Sequence, residues 1–208
     1  TKTIDPEGGI ETFSYFLDDK GQSTMGEIRS KTDRNGNTTT NTIDDRGNIT
    51  KITYPDGSTK QYIYDSKNNV TYETNQAGRK IFYVYDSTGT YLQKVAVPVN
   101  TTANYSGDNT NFAVTEYTYY SDGTYGAKGL IKDETSSTGA VKTNAYYSDG
   151  TLKSQSTTAD GKTVTESYTY NNQRLASSYT DGNGNVTNYA YDNRGNLIRE
   201  SKNGGSSV

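Results

Sequence analysis

The chain has 208 residues, only 29% of them hydrophobic, and a formal charge of −3; globular chains carry roughly 45–50% apolar residues on a count that includes Gly. So weak an acidic charge excludes nucleic acid as the main partner, because phosphates need a basic face, and no apolar run reaches the ~18 residues of a membrane-spanning helix. With no Cys and no His, disulfides, thiolate or imidazole metal sites, and Ser-His or Cys-His nucleophiles are excluded as well.

The apolar deficit does not spell disorder, since disordered chains lack aromatic and β-branched residues. This one has 20 Tyr and is crowded with Thr, and both residue types favour strands. Its 21 Gly, with many Asn and Asp, favour turns. The composition predicts many short strands joined by tight turns, with Tyr supplying most of the apolar area. The chain opens mid-pattern at TKTIDPEGG, so it is expected to be part of something longer.

Taken in chain order, the predicted elements repeat. GGIETFSYFLDDKGQST, from Gly8, is a loose first copy. GNTTTNTIDDRGNITKI from Gly36, GSTKQYIYDSKNNVTYE from Gly57 and GRKIFYVYDSTGTYLQK from Gly78 align without a gap, 21 residues apart. A polar insertion near 96–116 and a stretched turn between Tyr119 and Glu134 interrupt the pattern. It resumes at Gly139 (GAVKTNAYYSDGTLKSQ), continues with small slips from Gly161 (GKTVTESYTYNNQRLAS), and closes at Gly184 (GNVTNYAYDNRGNLIRE). Each copy predicts one β-hairpin. Strand alternation puts Tyr62 with Tyr64, Tyr83 with Tyr85, and Tyr189 with Tyr191 on one face. Asp65, Asp86 and Asp192 then open a type I turn, where a carboxylate accepts backbone N–H bonds. Three residues on, Gly47, Gly89, Gly150 or Gly195, with Asn68 in one copy, suits the positive φ of a following bulge. Residues 1–208 are thus expected to form a single all-β array of consecutive antiparallel hairpins, about seven to eight of them. The tyrosines of successive hairpins should stack and bury a face that no single hairpin could bury alone.

YIYDSKNNV, YVYDSTGTYL and YAYDNRGNLIRE resemble the YD repeats of the Rhs family, over about residues 5–95 and 117–203. That family includes bacterial Rhs and wall-associated proteins, shell subunits of insecticidal toxin complexes, and teneurins. The resemblance implies a long twisted or spiralling β-strip that can form a hollow shell, and a bacterial, extracellular or cell-surface setting. It implies partners in neighbouring repeats of a longer chain or in end-to-end self-association. The plug and self-cleavage site of toxin-bearing members have no counterpart here.

The chemistry-bearing residues are few. Asp18–Asp19 and Asp44–Asp45 could be carboxylate pairs, but they fall at turn positions. Asp33, Asn35 and Asn37, and Asp181, Asn183 and Asn185, place oxygens at alternate positions like the start of a calcium loop. The sixth position is Thr38 or Val186 where that loop has Gly, and the twelfth, Asp44 or Asp192, belongs to the next turn. A non-enzymatic structural array needing no cofactor is therefore the expectation. Competing readings are a carbohydrate-binding adhesion module, which would touch glycans or cell-surface proteins, and a shell segment of a toxin. Tyr105, Tyr125 and Tyr179 lie outside the motif and are the tyrosines freest to contact a ligand.

Overall fold

The computed structural model describes residues 1–4, 6–17, 23–99, 103–121 and 128–203. Among them are seventeen β-strands and no helix. The chain divides into two compact units, Thr1–Val84 with Val95–Phe112, and Tyr85–Lys94 with Ala113–Val208.

The first unit is a meander of β1 (Lys2–Ile4), β2 (Ile10–Leu17), β3 (Ser23–Thr32), β4 (Thr38–Ile43), β5 (Ile49–Thr53), β6 (Thr59–Tyr64), β7 (Val70–Thr74) and β8 (Lys80–Tyr85). Each strand pairs antiparallel with the next. After β9 (Leu92–Pro98), the second unit runs through β10 (Phe112–Tyr119), β11 (Ile131–Thr135), β12 (Val141–Tyr146), β13 (Leu152–Ala159), β14 (Lys162–Tyr170), β15 (Ala176–Thr180), β16 (Val186–Tyr191) and β17 (Leu197–Asn203). From β10 on, consecutive strands again pair antiparallel. The consecutive hairpins expected from the sequence are present in both units.

One turn geometry recurs. A residue donates its N–H to the carbonyl four residues on and accepts from the N–H three residues on, as between Asp44 and Asn48 and between Asp44 and Gly47. In the first unit these turns open at Asp33, Asp44, Tyr54, Asp65 and Asn75, alternately 11 and 10 residues apart. The 21-residue repeat therefore holds two copies of the same turn. The fourth residue sits at positive φ: Gly47 at 86°, Gly195 at 85°, and Asn68 at 66° in the copy without Gly. This is the left-handed region that Gly and Asn tolerate. The hairpin between β13 and β14 departs from the rule. Asp160 (φ 50°) and Gly161 (φ 71°) make a two-residue turn, with both central residues at positive φ as the twist of a tight hairpin demands. That shortening is why the copy from Gly161 aligns only with slips.

The fold has almost no interior. Among the described residues the buried hydrophobic ones are Phe82 and Ala96 in the first unit and Val114 in the second, and none of their large side chains is completely enclosed. The repeat tyrosines are half-buried, where the sequence led us to expect a buried face. The physical reason is geometric: many of the ring contacts run along the sheet, within a strand, between adjacent strands or past one strand, so a ring is flanked without being enclosed. Tyr72 meets Phe82 at 5.0 Å, Tyr168 meets Tyr179 at 5.2 Å, and Tyr91 meets Tyr119 at 4.8 Å.

Candidate functional site

The repeat residues hold the turns and the strand ends. Asp65 Oδ1 accepts the N–H groups of Lys67 (2.8 Å) and Asn69 (2.9 Å). Asp192 Oδ1 does the same with Arg194 and Asn196, both at 2.9 Å, and Asn196 Nδ2 donates to its Oδ2. In the longer turn after β8, Asp86 Oδ1 accepts from Thr90 and Tyr91, and Thr88 Oγ1 donates to Oδ2 at 2.6 Å. Gly89 follows at a φ of 73°. Where Tyr54 opens the turn, the carboxylate moves two residues on, and Asp56 Oδ1 accepts from the N–H of Ser58. Asp33 and Asp181 are engaged in the same way. Each accepts two backbone N–H bonds, and Asn37 and Asn185 turn their amide nitrogens, not their oxygens, toward it. An amide that presents N–H is not disposed to ligate a cation. Among the described residues no group of three acidic side chains converges. Asp44 caps its turn beside Arg46, and Asp18–Asp19 lie outside the described residues.

These bonds stabilise the ionised carboxylates. The Thr88 hydroxyl, then the Tyr91 and Thr90 N–H groups, hold Asp86 at about 2 against an ordinary 3.8. Asn side-chain bonds come first among the causes that lower Asp33, Asp44, Asp181 and Asp192, and the Asn69 N–H comes first for Asp65. A carboxyl depressed on folding stabilises the fold above its unfolded value and loses that contribution as pH falls through the folded one. The melting temperature should therefore be level between about pH 5 and about pH 9 and fall between about pH 4 and about pH 2. Thermal unfolding followed by circular dichroism across that range checks it, and Asp86→Asn should flatten the lowest part of the fall.

The second tyrosine of the motif has a separate task. Most successive hairpins pair through three residue pairs, as in Lys51↔Gln61 to Thr53↔Thr59 and Asp133↔Thr143 to Thr135↔Val141, and β13 with β14 through six. Beyond the last of those pairs a tyrosine hydroxyl reaches the carbonyl of a residue that opens a strand of the preceding hairpin. Tyr64 Oη donates to the Ile49 carbonyl at 2.8 Å, and Tyr146 Oη to that of Ile131 at 3.0 Å, each reaching back 15 residues. Tyr170 closes on Leu152 and Tyr119 on Leu92. In the copy where Ile43 replaces this tyrosine, Asn41 Nδ2 takes the equivalent Ile28 carbonyl at 2.8 Å. Desolvation raises the hydroxyl pKa of Tyr64, Tyr119, Tyr146 and Tyr170, so these groups stay protonated as donors. Tyr62 lies 6.3 Å from Tyr64, with Lys60 Nζ 5.0 Å above its ring. Tyr83, Tyr85, Tyr189 and Tyr191 are half-buried at the corresponding strand positions.

The tyrosines outside the motif are not solitary rings. Tyr179 sits directly across from Tyr168, and its hydroxyl bond to the Glu166 carboxylate pushes it up to about 12. Tyr125 lies outside the described residues. Tyr105, in the insertion, packs 6.4 Å from Phe82 and 5.1 Å from Phe112, and its hydroxyl donates to Asn109 Oδ1 at 2.6 Å.

Tyr105 thereby walls a groove of about 600 Å³ in the first unit. Ile63, Tyr72 and Phe82 stand opposite one another across β6, β7 and β8, on the face away from Tyr62. Lys80 and Asn104 complete the rim, joined by a 3.2 Å bond from Nζ to Oδ1. Sequence reading found Tyr105 but not Tyr72, Phe82, Lys80 or Asn104. A signal existed: Tyr72 and Phe82 occupy repeat positions that hold Lys51 and Thr40 one and two copies earlier, so an aromatic pair had replaced polar residues.

Comparison with known proteins agrees with this architecture. The RHS Repeat family model matches residues 44–80 and 172–207. No curated protein matches. The crystal structure of TcdB2-TccC3 without its hypervariable C-terminal region superposes over 97% of this chain at a TM-score of 0.66 and 16% identity. The Photorhabdus luminescens Tc holotoxin pore does so over 93% at 0.65 and 16%, and TcdB2-TccC3-TEV over 97% at 0.63 and 18%. The chain spans about a tenth of each of those chains, 10% in every case. At such identity these likenesses establish the fold alone, and two stretches of this chain match the RHS, or YD-repeat, model in sequence.

Proposed function

We propose that this chain is a non-catalytic structural stretch of a large secreted or surface-displayed bacterial protein, where it forms part of a β-shell or stalk. The observation that carries the reading is the use made of the motif residues. Asp carboxylates are consumed by turn N–H groups, and tyrosine hydroxyls by the carbonyls of residues that open strands, so the most repeated side chains work within the array. On this reading residues 1–208 act as one array, with neighbouring repeats of a longer chain as the main partners. The likeness to toxin-complex structures supports the shell over the stalk only through shared fold.

Electron cryo-microscopy of the complete natural protein tests this. The expected map shows the strands of this chain continuing into further repeats within one wall. A map in which it stands apart as a separate domain, with its sheet ending in solvent, would overturn the proposal.

A further inference from the structure

We propose that Tyr168 and Tyr179 form a modification site, at which a peroxide-driven one-electron oxidant couples the two rings into a dityrosine that ties β14 to β15. The inference does not depend on the structural role above. It starts from a placement. The two residues stand directly opposite each other across the strand pair, with ring centres 5.2 Å apart and planes tilted by 37°. Rings so arranged need only a small slide to bring an ortho carbon of one against an ortho carbon of the other. Both residues are half-buried, so an oxidant in solution reaches them while strand pairing keeps them together. The chain has no Cys and almost no interior, and a dityrosine is a covalent tie that its composition permits. It would act as a disulfide does, by shrinking the unfolded ensemble.

The chemistry selects this pair over its neighbours. A phenol at neutral pH is oxidised fastest when a base beside it takes the proton as the electron leaves. Glu166 lies two residues before Tyr168 on the same face, hence diagonally across from Tyr179, and its carboxylate accepts a bond from the Tyr179 hydroxyl. The half-buried Tyr168 gives its proton to water. Tyr91 and Tyr119 lie closer, at 4.8 Å, but the Tyr119 hydroxyl donates to the Leu92 carbonyl, a neutral acceptor that cannot keep a proton. The pairs Tyr120–Tyr146 and Tyr147–Tyr170 meet edge-on, at 82° and 90°, and all four of their hydroxyls are likewise held by carbonyls. At the proposed site each phenol loses one electron and one proton. The two radicals join through a new C–C bond between ortho carbons, and the ring protons displaced there move to the oxygens, restoring both phenols. One hydrogen peroxide, acting through a peroxidase, takes up the two electrons and two protons and leaves as two waters.

The test treats the full chain, dilute enough to stay monomeric, with hydrogen peroxide and a peroxidase. Intact mass, blue dityrosine fluorescence and tryptic mapping are the readouts. The monomer should lose two hydrogens in mass, and the peptide that carries Tyr168 should appear joined to the one that carries Tyr179. Tyr168→Phe and Tyr179→Phe each keep a ring in place and should each abolish that joined species. Glu166→Gln should slow its formation about tenfold or more, whereas Tyr91→Phe should leave it unchanged. Coupling of Tyr91 to Tyr119 ahead of Tyr168 to Tyr179, cross-links found only between chains, or a product that survives Tyr179→Phe would each sink the proposal. An unchanged rate in Glu166→Gln would remove the carboxylate from it.

Discussion

Phe82→Ala should destabilise the first unit by about 3–4 kcal/mol, within the range for aromatic truncation in a core. Phe82 is the large side chain most thoroughly removed from solvent there, at 8% exposure. Its ring contacts Tyr72 at 5.0 Å, Phe112 at 6.0 Å and Tyr105 at 6.4 Å, so three rings lose a partner together. The row neighbour Ile63 is mostly in solvent, and Ile63→Ala should change stability by less than about 1 kcal/mol. Urea unfolding midpoints of the two variants, with the slope unchanged, make the comparison. A Phe82→Ala loss no larger than that of Ile63→Ala would mean that the insertion does not clamp this face.

The next largest effect should come from Tyr64, and a pair of variants separates its ring from its hydroxyl. Tyr64→Phe deletes the donor to the Ile49 carbonyl and keeps the ring, so about 1 kcal/mol should be lost. Tyr64→Ala also removes the half-buried ring and should cost about 2–3 kcal/mol, below the figure for a fully enclosed aromatic. The exchange of Ile43 for tyrosine together with Asn41 on the Ile28 carbonyl argues that the acceptor, not the ring alone, must be served. Denaturation midpoints that coincide for Tyr64→Phe and wild type would remove the hydroxyl from this account.

Much of this was legible in the sequence because the turns are dictated locally. A Gly or Asn three residues after an Asp or Asn specifies positive φ at one position, and the carboxylate or amide supplies the cap. Both are properties of neighbouring residues. The face taken by Tyr62 and Tyr64 followed from alternation in the same way. The groove was not legible, because it depends on residues far apart in the chain: Tyr72 and Phe82 meet by register, and Tyr105 arrives by the path of the insertion. Half-burial of the tyrosines was missed for a related reason. Whether a ring is covered on one side or two depends on what lies over the sheet, and a repeat read one copy at a time does not contain that information. Tyr179 looked independent of the motif because its partner Tyr168 is brought to it by strand pairing.

Because a repeat contains two strands and two turns of one geometry, the array has a parity. Removing or adding a whole 21-residue period returns the backbone to the same direction with every tyrosine on the same side. Removing 10 or 11 residues, one strand with its turn, leaves neighbours antiparallel, since a tight turn still joins them, but it reverses the direction of every downstream strand and breaks the alternation of the two strand types. Lineages that lengthen or trim such a chain by unequal recombination should therefore retain products that differ by whole periods, and surplus residues should persist only as outgrowths from turns, as the segment carrying Tyr105 does.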